Sequence, residues 1–534
     1  MKNNNVPINY FENINKSSKL VKQLGNSKIN NKSLSEFLTI EGVDYWELYS
    51  AELSHRHVNN ILGSDKIYSQ PLTQLLIRKI NIIRFHLSQW KSYFNFKINK
   101  NEQIDNLKKL KYKPIMFLAF SKHLYRDVLM PISKDHLLQK EDKVTIGQDY
   151  NSFDLAQSSS FIDPWAVWDK ETKINYTRLK NLFINLKEQF DKSSFIEYSI
   201  PLEHKNKKKY FYFMFDDLFD IYLPNILFHV ITAKKILKKS PPSILISPDV
   251  SDPRSRVYTI LCRSLNITTI DVQFGLLGNG SIEWQYLISD YVLVWGEKAK
   301  NFLLTYGVSK NKIIITGSPR HDFKYSLSKT LVEKKRKELK IPSNKSVFVL
   351  ASTFNDKHHS NYVRPDILNS MKEAIFKSVL SCPNIVLIVK PHPFESINET
   401  KKYIKESPNK IIYADSKSDI RELIHISDAF LSFGSTTMID ALIADKVIIS
   451  PIFPGWIFSE DINEISHFQP KSESEMYKIF KSFNGKFFTS KQSLSNSSIK
   501  SSLKKLIYKY DASTKDLKKS STRRISKIIM NCMN

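Results

Sequence analysis

The sequence predicts an α/β protein of two consecutive doubly wound units facing a cleft, behind a mainly helical amino-terminal extension. Three observations carry this. Apolar strand, polar turn and helix alternate from "KPIMFLAFSKHLYRDVLMPI" to "NKIIITGSPRHDF"; a Lys-rich break, "SLSKTLVEKKRKELKIPSNK", interrupts them; the same rhythm then restarts at "SVFVLASTF". A chain of 534 residues, 41% of them hydrophobic, has the length and apolar content for two large cores.

Taken in order, residues 1–110 form the extension, with apolar residues at helix spacing in "DYWELYSAELSHRHVNNIL" and "QPLTQLLIRKINIIRFHLSQW". Residues 111–330 form the first unit. Its long apolar run, "YFYFMFDDLFDIYLPNILFHVIT", carries Asp216, Asp217, Asp220 and Pro224, which suit a buried helical approach and not a membrane span. Residues 331–500 form the second unit, in which "NIVLIVKPHPFE", "KIIYADS", "DAFLSFGSTT" and "KVIISPIF" supply strands and their exits. Residues 501–534 form a basic helical tail, by default solvated and compatible with an anionic membrane surface.

The 80 Lys and Arg against 53 Asp and Glu leave a formal charge of +27, so polyanions and anionic surfaces are expected neighbours. No aromatic RNA-binding motif or helix-turn-helix signature accompanies that charge, and nucleic acid is not the expected partner. Cys262, Cys382 and Cys532 are few and far apart, which excludes a disulfide framework and a cysteine metal site. The first residues hold no apolar run of signal-peptide length, so a cytoplasmic protein is expected.

Two stretches carry chemistry. In "DAFLSFGSTTMIDALIADKVIIS" a buried strand ends at Gly434, and Ser435, Thr436 and Thr437 follow at the start of a helix. A helix start offers amides without intrahelical acceptors and a positive dipole end, where an anion can dock. Asp440 lies four residues past Thr436, on the same helix face, so a phosphate at the tip and a sugar diol one turn on would satisfy both. A plain N-cap accounts for the same residues. In "IVLIVKPHPFE", Lys390, His392 and Glu395 appear where a strand leaves the sheet, with Pro391 and Pro393 stiffening the exit. His392 can donate to phosphate oxygens or protonate a leaving group, or it can simply close the sheet edge. If the sheet is parallel, both stretches end on one rim and one ligand can touch both.

Ser352, Thr353, Asn355, His358 and His359 follow the first strand of the second unit and are expected to face the cleft. No spaced Asp, Glu or Cys completes a ligand set with the His pair, so no metal is expected. In the first unit, Asp249 and Glu283 are candidate bases for an acceptor hydroxyl, Asp249 being equally suited to cap the following helix. Arg254 and Arg256 either hold an anionic acceptor or form a solvated face.

"VKPHP", with "SDAFLSFGSTTMIDAL" about forty residues later and "DYVLVWGEKAKNFLLTYGVSKNKIIITGSPRHD" before it, resembles the bacterial GT-B glycosyltransferases and glycerophosphotransferases of capsule, teichoic acid and surface polysaccharide synthesis. The resemblance spans roughly residues 240–455. It implies an acceptor domain followed by a nucleotide donor domain, with His392 at the nucleotide phosphates, Ser435 and Thr436 binding phosphate, and Asp440 where many relatives place a Glu against the ribose. Relatives often carry Gln-His-Gly where this chain reads "QFG", so Phe274 stands in place of a candidate base.

The expected function is therefore a glycosyltransferase moving a sugar, or an alditol phosphate, from a nucleotide-activated donor to a glycan or lipid-linked surface polysaccharide acceptor, with no cofactor beyond that co-substrate. The rivals are an epimerase of the UDP-GlcNAc 2-epimerase type and a non-catalytic basic binding protein for glycan or nucleic acid.

Overall fold

The computed structural model describes residues 10–62, 71–110, 112–148, 160–200, 208–278, 281–322, 329–353, 365–392, 395, 407, 409–415, 418–456, 464–483, 505–512 and 520–533. The extension opens with the helix Tyr10–Asn26, then two short antiparallel hairpins, β1 (Lys28–Ile29) with β2 (Lys32–Ser33) and β3 (Thr39–Ile40) with β4 (Val43–Asp44). The helices Tyr45–Leu62, Pro71–Ile98 and Lys100–Lys109 follow. Ser33 and Glu36 form a reciprocal capping box at the start of the short helix Leu34–Phe37, and the Asp44 carboxylate accepts from the Trp46 and Glu47 amides, which explains where Tyr45–Leu62 begins.

The first sheet has seven strands in the order β11-β10-β9-β8-β5-β6-β7, all parallel. They are β5 (Ile115–Ala119), β6 (Lys143–Gly147), β7 (Ser160–Ile162), β8 (Ile244–Ser247), β9 (Thr268–Val272), β10 (Tyr291–Val294) and β11 (Ile313–Ile315). Their near-continuous apolar runs suit strands covered on both faces. The long apolar run is helical from Lys208 to Lys239, through a π turn at Leu218–Tyr222, and Pro224 sits harmlessly in the first turn of Leu223–Lys239. Asp216 and Asp220 pair with Lys192 and Lys187, each at 2.5 Å. Among the described residues no helix is long and apolar enough to cross a membrane.

The second sheet has five parallel strands in the order β14-β13-β12-β15-β16: β12 (Ser346–Ala351), β13 (Ile385–Lys390), β14 (Ile411–Tyr413), β15 (Ala429–Ser432) and β16 (Val447–Ile449). The Lys-rich break forms the helix Lys329–Glu338, which Arg336 ties to the Ile426 carbonyl and the Asp428 carboxylate. Two parallel, Rossmann-like sheets behind a helical amino-terminal region are the architecture that the alternation predicts.

Two features depart from the reading of the sequence. The extension shares one core with the first unit, where Leu20, Leu24, Leu48 and Leu53 pack in the cluster that holds Met116, Leu118 and Val257. The last described part of the tail is not solvated. Its helix Ser521–Met533 sinks Ile525 and Ile529 into the core of the first sheet, and Asp322 accepts from the Ser521 and Thr522 amides at its start. Burial of one apolar face outweighs the basic composition that suggested a free tail.

Candidate functional site

The site is built on strand register. Ala351 of β12 pairs with Lys390 of β13 on one side and with Ser432 of β15 on the other, so three adjacent strands end level. β12 is also the switch point of its sheet, where chain exits diverge and ligands settle outside the carboxyl ends. Ser352 and Thr353, His392 and Glu395, and the Gly434–Thr437 turn thus share one rim.

Within the turn, Ser432 Oγ accepts from the Gly434 amide at 3.3 Å and the Ser435 amide at 3.0 Å. Gly434 has a φ of 110°, a left-handed conformation that a side chain would strain. Ser435 is exposed; its Oγ accepts from the Thr437 amide at 3.3 Å and the Thr437 hydroxyl at 2.9 Å. Thr436, the residue before the helix Thr437–Ile443, makes no side-chain cap. Its Oγ1 instead accepts from the Leu276 amide of the first unit at 3.3 Å. The turn and the Gln273–Leu276 loop are therefore in contact across the two units.

Glu395 holds the His392 loop from below. Its carboxylate accepts from Ser352 Oγ and Lys372 Nζ, both at 2.7 Å, and from the His392 amide at 3.1 Å, while Lys372 also donates to the Thr353 carbonyl at 2.7 Å. The Glu395 and Lys372 side chains are only 1% and 5% exposed, so this pair positions the loop and does not face a ligand. His392 itself is half-buried, and burial pulls its imidazole below the ordinary value, Glu395 opposing and Lys390 adding. Burial likewise lowers Lys390, against Asp415 and Asp419.

Asp440 points elsewhere. It is 3% exposed, takes both arms of Arg320 at 3.2 and 2.8 Å, and lies 3.2 Å from His321 Nε2. His321 Nδ1 meets the Asp511 carboxylate, and Asp511 also accepts from the Ser318 amide at 3.1 Å. Burial alone would raise Asp440, but Arg320 and His321 hold it at about 2; burial opposes charge on His321, yet Asp511 and Asp440 push it up to about 9. "GSPRHD" is thus an electrostatic clamp joining both units and the carboxy-terminal segment, and Asp440 belongs to it rather than to an open sugar pocket.

In the first unit, Asp249 accepts from the Ser251 amide and hydroxyl at 3.0 and 2.8 Å and from the Asp252 amide at 3.2 Å, forming the turn before the helix that Asp252 caps. Burial raises its carboxyl, with Asp252 adding. Arg254 clasps Asp252, and Arg256, 2% exposed, donates to the carbonyls of Glu47, Val250 and Tyr286. Arg256 is therefore neither a solvated charge nor an acceptor-binding one. Glu283 lies on the 3-10 turn Ile282–Tyr286 and is half-buried. Phe274 packs 6.1 Å from Trp284. Asn355, His358 and His359 lie outside the described residues. Among the described residues no cluster of three His, Cys, Asp or Glu could hold a metal ion.

Sequence reasoning missed a basic group in the cleft. Asp127 is clasped by Arg126 at 2.8 and 3.0 Å and approached by Arg320 at 3.6 Å and, from the second unit, by Arg421 at 4.0 Å. His123 stands beside it, its ring nitrogen 3.0 Å from Ser121 Oγ, on the short helix Lys122–Leu124 that follows β5, the strand at which the first sheet changes direction. Burial lowers its imidazole, and Asp127, Arg126 and Arg320 act on it. The cue was available: "AFSKHLYRD" follows a buried strand just as "VKPHP" does.

Fold and rim together define a GT-B protein, two Rossmann-like units with polar loops meeting across a cleft. Residues 281–466 match the family model of the CDP-Glycerol:Poly(glycerophosphate) glycerophosphotransferases, a stretch that holds Arg320, His321 and Asp440 of the clamp, the His392 loop and the Gly434–Thr437 turn. The resemblance read from the motifs stands, and the class it supports is a nucleotide-dependent transferase. No curated protein matches the sequence. Among solved structures, a variant of the wall teichoic acid polymerase TagF is 13% identical, over 87% of this chain and 98% of its own, with a TM-score of 0.48. The UDP-GlcNAc 2-epimerase from Methanocaldococcus jannaschii is 12% identical over 79% and 100%, at 0.46. A glycosyltransferase from Rickettsia africae ESF-5 is 15% identical over 79% and 99%, at 0.45. At these scores the fold rests on the two sheets themselves.

Proposed function

We propose that the chain transfers an alditol phosphate, or a sugar, from a nucleotide-activated donor to a growing surface polysaccharide, working in the cytoplasm against the inner face of the cell membrane. The observation that carries this is the level ending of β12, β13 and β15, which sets His392, Ser352 and the hydroxyls of Ser435 and Thr437 on one rim. The match to a glycerophosphotransferase model over 281–466 favours the alditol phosphate.

A donor phosphate at this rim meets hydroxyl donors and the His392 imidazole. The acceptor hydroxyl oxygen bonds to the transferred group as the bond to the nucleotide phosphate breaks, and charge builds on the leaving phosphate. His392, uncharged around neutrality, donates one ring N–H there, and an approaching anion favours its protonated form. With Phe274 unable to take a proton, His123 is the first unit's base for the acceptor hydroxyl.

Purified protein supplied with CDP-glycerol and a panel of CMP- and UDP-activated sugars should release nucleotide only with its own donor and an acceptor. Turnover by His392→Ala at the wild-type rate would overturn the assignment. His123→Gln should lower turnover with the donor KM unchanged. Conversion of UDP-GlcNAc without acceptor would favour an epimerase instead.

A further inference from the structure

The helix Pro71–Ile98 runs for 28 residues without one Asp or Glu and carries five Lys or Arg. Ile80, Ile83, Leu87, Trp90, Phe94 and Ile98 are 38–72% exposed. At about 100° per residue they fall on one stripe covering roughly a quarter of the helix circumference. Arg84, Lys91 and Lys97 are exposed along its borders. On the opposite side Ser92 and Phe96 are buried, Trp165 Nε1 donates to Ser92 Oγ at 3.1 Å, and the Tyr93 ring lies 5.1 Å from Trp165. The helix is thus anchored by one face and presents the other outward.

The geometry points to this stripe as a docking face for an anionic lipid bilayer, the helix lying in the interface with Trp90 and Phe94 among the headgroups and the bordering cations against lipid phosphates. Charge selects this occupant: a second copy would set one cationic, carboxylate-free helix against another, whereas an anionic surface offsets that charge. Trp165 follows β7, the edge strand of the first sheet, so the stripe is tied to the carboxyl end of that edge. The inference deepens the membrane placement proposed above and rests on it only for which leaflet is met; vesicle binding is read without donor or acceptor, so its failure leaves the transfer chemistry standing.

Flotation of the full chain with vesicles of phosphatidylcholine, alone or with phosphatidylglycerol, tests it. The wild type should float with the anionic vesicles and lose most binding at high salt. Leu87→Glu/Trp90→Glu should bind at least tenfold more weakly with an unchanged thermal melt, whereas Tyr198→Glu, at an exposed aromatic elsewhere, should bind as wild type. Equal flotation of the double variant, or no flotation of the wild type, overturns the proposal. So does a wild-type dimer that Leu87→Glu/Trp90→Glu converts to monomer with lipid binding unchanged, which assigns the stripe to a second copy.

Discussion

His392 and His321 are the same side chain put to opposite uses. His321 is sealed between Asp440 and Asp511, and those carboxylates keep it charged with a pKa of about 9. His392 stands half-buried at a strand exit, where burial lowers its pKa. The charged imidazole is spent on adhesion between units; the neutral one remains responsive to an incoming anion. A histidine beside a functional motif is thus no guide to chemistry until its carboxylate neighbours are known.

The largest expected effect separates the two directly. His392→Ala should cut turnover about 10²–10⁴-fold with an unchanged melt, the range of a lost general acid. Asp440→Ala, which takes a partner from half-buried Arg320 and from charged, buried His321, should cost about 3–5 kcal/mol in urea unfolding and lose activity through the fold. The clamp also sets a pH dependence. Because His321 is raised above its ordinary 6.5, its stabilisation is complete below that pH and fades as pH rises through about 9, up to about 3 kcal/mol. Urea midpoints should fall over that window in the wild type and stay flat in His321→Gln. The smallest effect concerns the loop: Glu395→Gln weakens the hold of Lys372 and should cost about 1.5–3 kcal/mol, lowering turnover as His392 loses its placement.

Much of the fold was legible because parallel strands covered on both faces print themselves as apolar runs, as in "SVFVLA" and "IVLIVK". The shared rim was legible too, since parallel strands must exit on one edge. Long-range partners were not. Asp440 reads as a ribose ligand from its spacing to Thr436, but its guanidinium partner lies 120 positions away. Arg256 reads as a surface cation until Glu47, 209 positions back, is brought to it. The docked tail left a cue that charge concealed: Ile525 and Ile529 sit one helical turn apart in "RRISKIIM".

The docking of that last helix sets an order on synthesis. Ile525 and Ile529 complete a core whose other members, such as Ile115, Ile244 and Leu293, leave the ribosome far earlier. Tyr125, Val128, Leu129 and Ile132 cover part of that side early, but the patch that Ile525 and Ile529 fill waits, apolar, while the entire second unit is translated. A nascent chain stalled before Ser521 should be a strong client for chaperones, and the finished one should close this seam last.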